Sequence, residues 1–230
     1  MMGDFDFDVI GRSLPYLWKG MQYTLTLTLT AMTGGIIFGS LLAMARLSSI
    51  KPLVLVATVY VNLMRSIPLV LVIFWFYFLV PLLGQWLTTS ETPITVGPDQ
   101  TALISFTLFE IAYYCEIIRA GIQSIPTGQV SAAKAIGFTY SQQMLYVILP
   151  QAFRNMLPVL LTQTIVLFQD TSLVYVISGT DFLGAASKIA QRDSRLIEMY
   201  SFVAVIYFLI SFSLSQVVKR MQSKTTLARS

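Results

Sequence analysis

Three stretches of this chain, residues 20–45, 66–90 and 199–218, contain no Asp, Glu, Lys or Arg. The hydrocarbon core of a bilayer, about 30 Å thick, is crossed by roughly 20 helical residues rising about 1.5 Å each. All three runs are long enough to cross it. The rest of the composition agrees: 55% of the 230 residues are hydrophobic and 11% are charged, where a soluble domain carries about 25% charged. A large soluble protein can bury an apolar helix, but three such runs exceed what the core of so short a chain holds. The chain is read as an integral membrane protein.

Two further spans contain charges. Residues 101–121 include Glu110, Glu116 and Arg119, and residues 157–178 include Asp170; both are otherwise largely apolar. The expectation is therefore an all-α fold of about five transmembrane helices, near 21–45, 54–82, 101–121, 157–178 and 197–218. One segment argues otherwise. Residues 23–30 alternate Tyr/Leu and Thr with the period of a strand. No set of alternating ten-residue segments accompanies it, as a membrane barrel requires.

Residues 1–20 are expected to form a separate N-terminal segment lying in the interface, with Tyr16 and Trp18 at headgroup level. Its start, Asp4-Phe5-Asp6-Phe7-Asp8, is acidic where a signal peptide is basic. Cys115 is the single cysteine and histidine is absent, so an intrachain disulfide and a His-based metal or catalytic site are not expected. Lys and Arg placement sets the orientation. Arg46, Lys51, Arg119, Lys134, Arg154, Lys219, Arg220, Lys224 and Arg229 fall on one side; Arg12, Lys19, Lys188, Arg192 and Arg195 fall on the other. The positive-inside rule puts the first group in the cytoplasm, with the N-terminus outside and the 219–230 tail inside. The basic 179–196 loop runs against the rule.

Between the third and fourth spans lies a long cytoplasmic loop, about residues 123–153. Pro126 and Gly128 break the preceding helix. The small residues of Val130–Ile136 suit a short helix packed closely on another surface. Gly137 stands where a helix end needs positive φ, and Thr139 or Ser141 can cap the next helix. Leu149-Pro150 is expected to turn the chain back into the bilayer. The pattern Ser131-Ala132-Ala133-Lys134-Ala135-Ile136-Gly137, nine residues, then Val147-Ile148-Leu149-Pro150 resembles the coupling loop of membrane subunits in bacterial ATP-binding-cassette importers.

The resemblance extends from about residue 15 to 218. It is carried by Arg65-Ser66-Ile67-Pro68-Leu69-Val70, by Glu110 through Ile122, by Leu149-Pro150-Gln151-Ala152-Phe153-Arg154 and by Gln169-Asp170-Thr171-Ser172-Leu173. On these segments the chain resembles permeases of polar-amino-acid importers, nearest to those for glutamate and aspartate. That implies a multi-pass protein of the bacterial inner membrane forming half of a translocation path. It also implies an ATPase dimer docked on Ser131, Ala132, Ala133, Gly137, Leu149 and Pro150, a second permease (a copy or a paralogue), an extracytoplasmic solute-binding protein and an amino-acid substrate. Nucleic acid is not an implied partner. One departure matters: Ser131 stands where the family usually has Glu, so any ion pair that Glu makes with the ATPase is absent or supplied elsewhere.

Arg65, Glu110 and Asp170 each fall inside an expected span. An ionised side chain at the bilayer centre costs about 2.5–3.5 kcal/mol on insertion scales. They must therefore face protein or water, and are expected to see one another. A purely structural polar cluster meets that requirement. So does a path that meets a zwitterion, with Arg65 on an α-carboxylate, Asp170 or Glu110 on an α-ammonium, and the Thr171 and Ser172 hydroxyls beside them. Pro68 can interrupt the span there. Glu116 and Arg119, at i and i+3, read as a local ion pair. Ala31, Gly35, Gly39 and Ala43 read as a close-packing stripe.

No Gly-x-x-x-x-Gly-Lys-Ser/Thr loop occurs. The chain is therefore expected to be no enzyme and to carry no cofactor of its own, with ATP bound by the partner. A proton-coupled secondary transporter is the alternative transport reading, with Glu110 and Asp170 as proton carriers. A membrane scaffold or enzyme is the other, and it lacks a catalytic constellation.

Overall fold

The computed structural model describes residues 5–88 and 96–227, with side chains as far as Ser223. Residues up to Asp4, residues 89–95 of the 84–98 connection, the Lys224 side chain and Arg229 lie outside the described residues. The helices are α1 (Phe7–Arg46), α2 (Lys51–Ser66), α3 (Leu69–Thr88), α4 (Pro98–Gln123), α5 (Thr127–Ala135), α6 (Tyr140–Ile177), α7 (Phe182–Arg192) and α8 (Leu196–Leu227). Among the described residues there is no strand. Five of the helices, α1, α3, α4, α6 and α8, are long and apolar enough to cross a membrane.

The alternating Thr segment sits in a helix, and three of its four hydroxyls have a local acceptor. Thr26, Thr28 and Thr30 each donate to the carbonyl four residues back, at 2.8 Å. A Thr so bonded costs a membrane helix little, since its polar atom never meets hydrocarbon unpaired.

Three boundaries differ from the sequence expectation. From Phe7 onward the N-terminal segment is the start of α1. The Asp6 carboxylate accepts from the Asp8 and Val9 amides at 3.0 and 3.3 Å and caps the helix there. The expected 54–82 span is divided at Ile67–Pro68 into α2 and α3. Proline has no amide hydrogen and disfavours helix in the residue before it; here the Pro68 carbonyl instead accepts from Leu71 and Val72 as α3 begins. Leu149-Pro150 does not turn the chain, which stays helical from Tyr140. A π-helical stretch, Gln143–Ile148, precedes the proline, and the Leu149 amide donates five residues back to Met144. That wider turn removes the clash a proline makes with the carbonyl four residues earlier. The same device precedes Pro81, where the Val80 amide donates to Trp75.

Backbone packing divides the chain into two units. The first contains Met1–Met32, Ile67–Leu108 and Val166–Ser213. Its core joins Val9, Leu17 and Met21 of α1, Phe182, Ala185, Ala186, Ile189 and Ala190 of α7, and Met199 and Val203 of α8. Helix α7 lies so close to α1 that a Cβ on Gly20 would stand 2.8 Å from both the Ala185 Cβ and the Asp181 carbonyl. Asp181 is fully buried and caps α7, accepting from the Leu183 and Gly184 amides at 3.0 and 3.1 Å. The Thr24 hydroxyl accepts from the Phe182 amide at 3.1 Å. Burial pushes the Asp181 carboxyl up to about 7, against the pull of those amides. The basic excess of the 179–196 loop is matched locally: Arg192 and Arg12 meet Asp193, and Arg195 meets Asp6 and Glu198.

The second unit contains Thr33–Ser66, Phe109–Ile165 and Leu214–Ser230. Its axis is the contact of α1 with α4. A Cβ on Gly39 would stand 2.9 Å from the Cys115 nitrogen and 3.0 Å from the Ile111 oxygen. At Gly35 it would stand 2.6 Å from the Tyr114 ring. The small-residue stripe thus lets two backbones touch, as expected of such a stripe. Tyr114 reaches α6 through a 2.9 Å hydrogen bond with Thr164.

Two consequences can be measured. Gly39→Val forces α1 off α4; overpacking of this kind costs about 1–3 kcal/mol. Because Cys115 is buried, the variant in detergent should react with a thiol probe at lower temperature than wild type, and an unchanged labelling curve would contradict the contact. Asp181 has a folded pKa raised from 3.8 to about 7. Its contribution to stability is full below about pH 4 and is lost as pH rises through 7. The melting temperature should fall between pH 5 and 8 in wild type and be flatter in Asp181→Asn.

Candidate functional site

Helix α5 and the start of α6 form one local structure within the second unit. Ile125, Met144, Ile148 and Ala152 make its small core, with Ile122 and Val130 against it. Helix α5 ends in a Schellman motif. The Phe138 amide donates to Ala133 at 3.1 Å, the Gly137 amide to Lys134 at 3.0 Å, and Gly137 has φ +84°. Thr139 then opens α6 with a reciprocal capping box: its hydroxyl accepts from the Gln142 amide while the Gln142 side chain accepts from the Thr139 amide. Ala133 is buried, whereas Ser131, Ala132, Gly137, Leu149 and Pro150 are exposed. So are Ile136 and Tyr140, 70% and 69% accessible. The loop is a preformed helical knob with an apolar exposed side.

Arg65 is the last basic residue of α2, beside the Pro68 break. It does not meet Glu110 among the described residues. Its guanidinium stands 3.8 Å from Glu116 Oε2, with its carbon 5.5 Å from the centre of the Tyr113 ring. The same carboxylate is hydrogen-bonded by Arg46 and by Arg119, and Arg119 also reaches Gln123. The local Glu116–Arg119 pair read from the i, i+3 spacing is present. The spacing did not reveal that Arg46 and Arg65 join it. Since Arg46 ends α1, Arg65 stands level with a helix end and not at midspan.

Glu110 is 1% accessible, and both its oxygens accept from Gln163 at 3.1 and 3.2 Å. Sequence reasoning passed over Gln163, although an amide in an apolar span opposite a buried carboxylate was the available signal. Asp170, Thr171 and Ser172 belong to the first unit, where α6 tightens from an α-helical to a 3₁₀ path at Thr171. Thr171 is buried and donates to the Phe168 carbonyl at 2.7 Å. Asp170 and Ser172 are half-buried, and Asp170 has no ion pair among the described residues.

Five apolar helices, an exposed helical knob and charged groups held inside the spans fit a membrane transport subunit. The chain belongs to the family of binding-protein-dependent transport system inner membrane components, whose pattern matches residues 35–226. It is 50% identical over 229 residues to the glutamate/aspartate import permease protein GltK of Escherichia coli O6:H1, covering 97% of this chain and all of that one. It is 35% identical to the probable glutamine ABC transporter permease protein GlnM of Bacillus subtilis, covering 85% and 87% of the two chains. The crystal structure of an amino acid ABC transporter with histidines contains a chain 32% identical, covering 97% of this chain and all of that one, with TM-score 0.86. The chain is therefore the non-catalytic permease subunit of an amino-acid ATP-binding-cassette importer of the inner membrane, and ATP is hydrolysed by a separate subunit.

Proposed function

We propose that the substrate is an acidic amino acid, glutamate or aspartate, and that the observation carrying this is the 50% identity, end to end, with an import permease for those two. Cargo arrives on a solute-binding protein from the side that holds the N-terminus. The permease pairs with a second permease, and an ATPase dimer sits on the knob formed by Ser131, Ala132, Ala133, Gly137, Leu149 and Pro150. In this reading Arg65 receives a carboxylate of the substrate through its fork of N–H donors. Glu110 lines the path or braces it through Gln163, and Asp170, Thr171 and Ser172 are path residues in their own right. Closure of the ATPases moves the knob, and the permease halves expose the charged groups to each side in turn.

A Cβ at Gly137 meets nothing within 4 Å, and Asp tolerates positive φ better than most residues. Gly137→Asp should therefore leave the knob folded while placing a carboxylate on the docking surface. In a mild-detergent pull-down, wild type should retain the ATPase and the second permease, whereas Gly137→Asp should lose the ATPase and glutamate uptake; full uptake in the variant would remove the knob from coupling. Asp170→Asn should lower glutamate uptake severalfold while the ATPase still co-purifies, and unchanged uptake would make Asp170 structural.

A further inference from the structure

Three guanidinium groups converge on Glu116, and they are not equivalent. Arg46 and Arg119 hydrogen-bond the carboxylate and expose 11% and 23% of their side chains. Arg65 is 39% exposed, stands 3.8 Å away, and among the described residues makes only this loose pair and its contact with the Tyr113 ring. One carboxylate against three guanidiniums leaves the cluster two positive charges in excess. Arg46 and Arg119 already hydrogen-bond both of its oxygens, and Arg65, at 3.8 Å, has donors to spare. It is the penultimate residue of α2, two residues before the Ile67–Pro68 break.

We infer that Glu116 is the resting counter-ion of Arg65, and that a carboxylate of the transported amino acid takes its place. This rests on the reading of Arg65 as a carboxylate-binding residue. The physical ground is that a part-buried guanidinium stripped of its partner is costly, because its desolvation is then uncompensated. An exchange avoids that state. Arg65 passes from Glu116 to the substrate and back, while Glu116 keeps Arg46 and Arg119 throughout. Glu116 is thus a competitor held within the fold. It limits how tightly an acidic substrate is held, and on release it reoccupies Arg65. A guanidinium with no such competitor would retain an anion that the transporter must let go.

The test is direct binding of radiolabelled L-glutamate to the detergent-purified permease–ATPase complex, without the solute-binding protein, at pH 7. Removing the competitor with Glu116→Gln should tighten binding about 5–10-fold, while Arg65→Gln should weaken it at least tenfold. Loss of packing alone does not raise affinity, so a tighter Kd separates exchange from a structural role. If the Gln variant does not assemble, Glu116→Asp keeps the charge for Arg46 and Arg119 and withdraws it from Arg65 by one methylene. It should tighten binding two- to threefold. Unchanged or weaker binding in the Glu116 variant that assembles, or failure of both to assemble, with Arg65→Gln still defective, overturns the exchange and leaves Arg65 as a carboxylate ligand. Unchanged binding in Arg65→Gln overturns the reading of Arg65 itself and the exchange with it.

Discussion

Hydrocarbon offers no hydrogen bonds, and most of this structure answers that one constraint. The spanning segments are helical because a helix pairs its own amides and carbonyls. Where side chains would break the pattern, a local substitute appears. The Thr26, Thr28 and Thr30 hydroxyls bond back to carbonyls one turn earlier. Pro81 and Pro150 each follow a π-helical stretch that makes room for the missing amide. Charged groups obey the same demand: Glu110 is met by Gln163, and Glu116 by arginines.

Packing in such a medium gains little from hydrophobicity, since lipid is as apolar as leucine, and depends on close approach instead. Gly35 and Gly39 permit the contact of α1 with α4, and Gly20 permits that of α1 with α7. Each brings polar groups together at its ends. The first brings Arg46 to Glu116 of α4; the second brings the Phe182 amide, which follows the buried cap Asp181, to the Thr24 hydroxyl. Small residues therefore do more than fill space. They decide which charged side chains can reach one another.

The knob of α5 and α6 shows a different economy. It is built from short-range rules, a Schellman ending at Gly137 and a capping box at Thr139, over a core of a few aliphatic side chains. Such a structure forms without long-range contacts to direct it. That suits a part which presents an exposed surface to a separate subunit, because its shape is set before the partner arrives.

Local chemistry made much of this legible. Uncharged runs marked the spans, the Gly137 and Thr139 positions marked the ends of the knob's helices, and the i, i+3 spacing marked the Glu116–Arg119 pair. The stripe at four-residue spacing marked a close contact of α1, but not its partner, which the structure gives as α4. Pro68 was marked as a residue that can interrupt its span, because proline's missing amide acts on its immediate neighbours, although the expected span ran through it. What sequence could not decide was which charge meets which. Arg65 pairs with Glu116 rather than Glu110, Arg46 joins them from another helix, and Gln163 answers Glu110. The helical path through Pro150 also depended on a π turn that leaves no trace in residue type. Sequence determines backbone form and burial, because those follow from the solvent and from neighbours a few residues away. Only the tertiary structure selects ion-pair partners, because helices must first pack before side chains far apart in the chain come within reach.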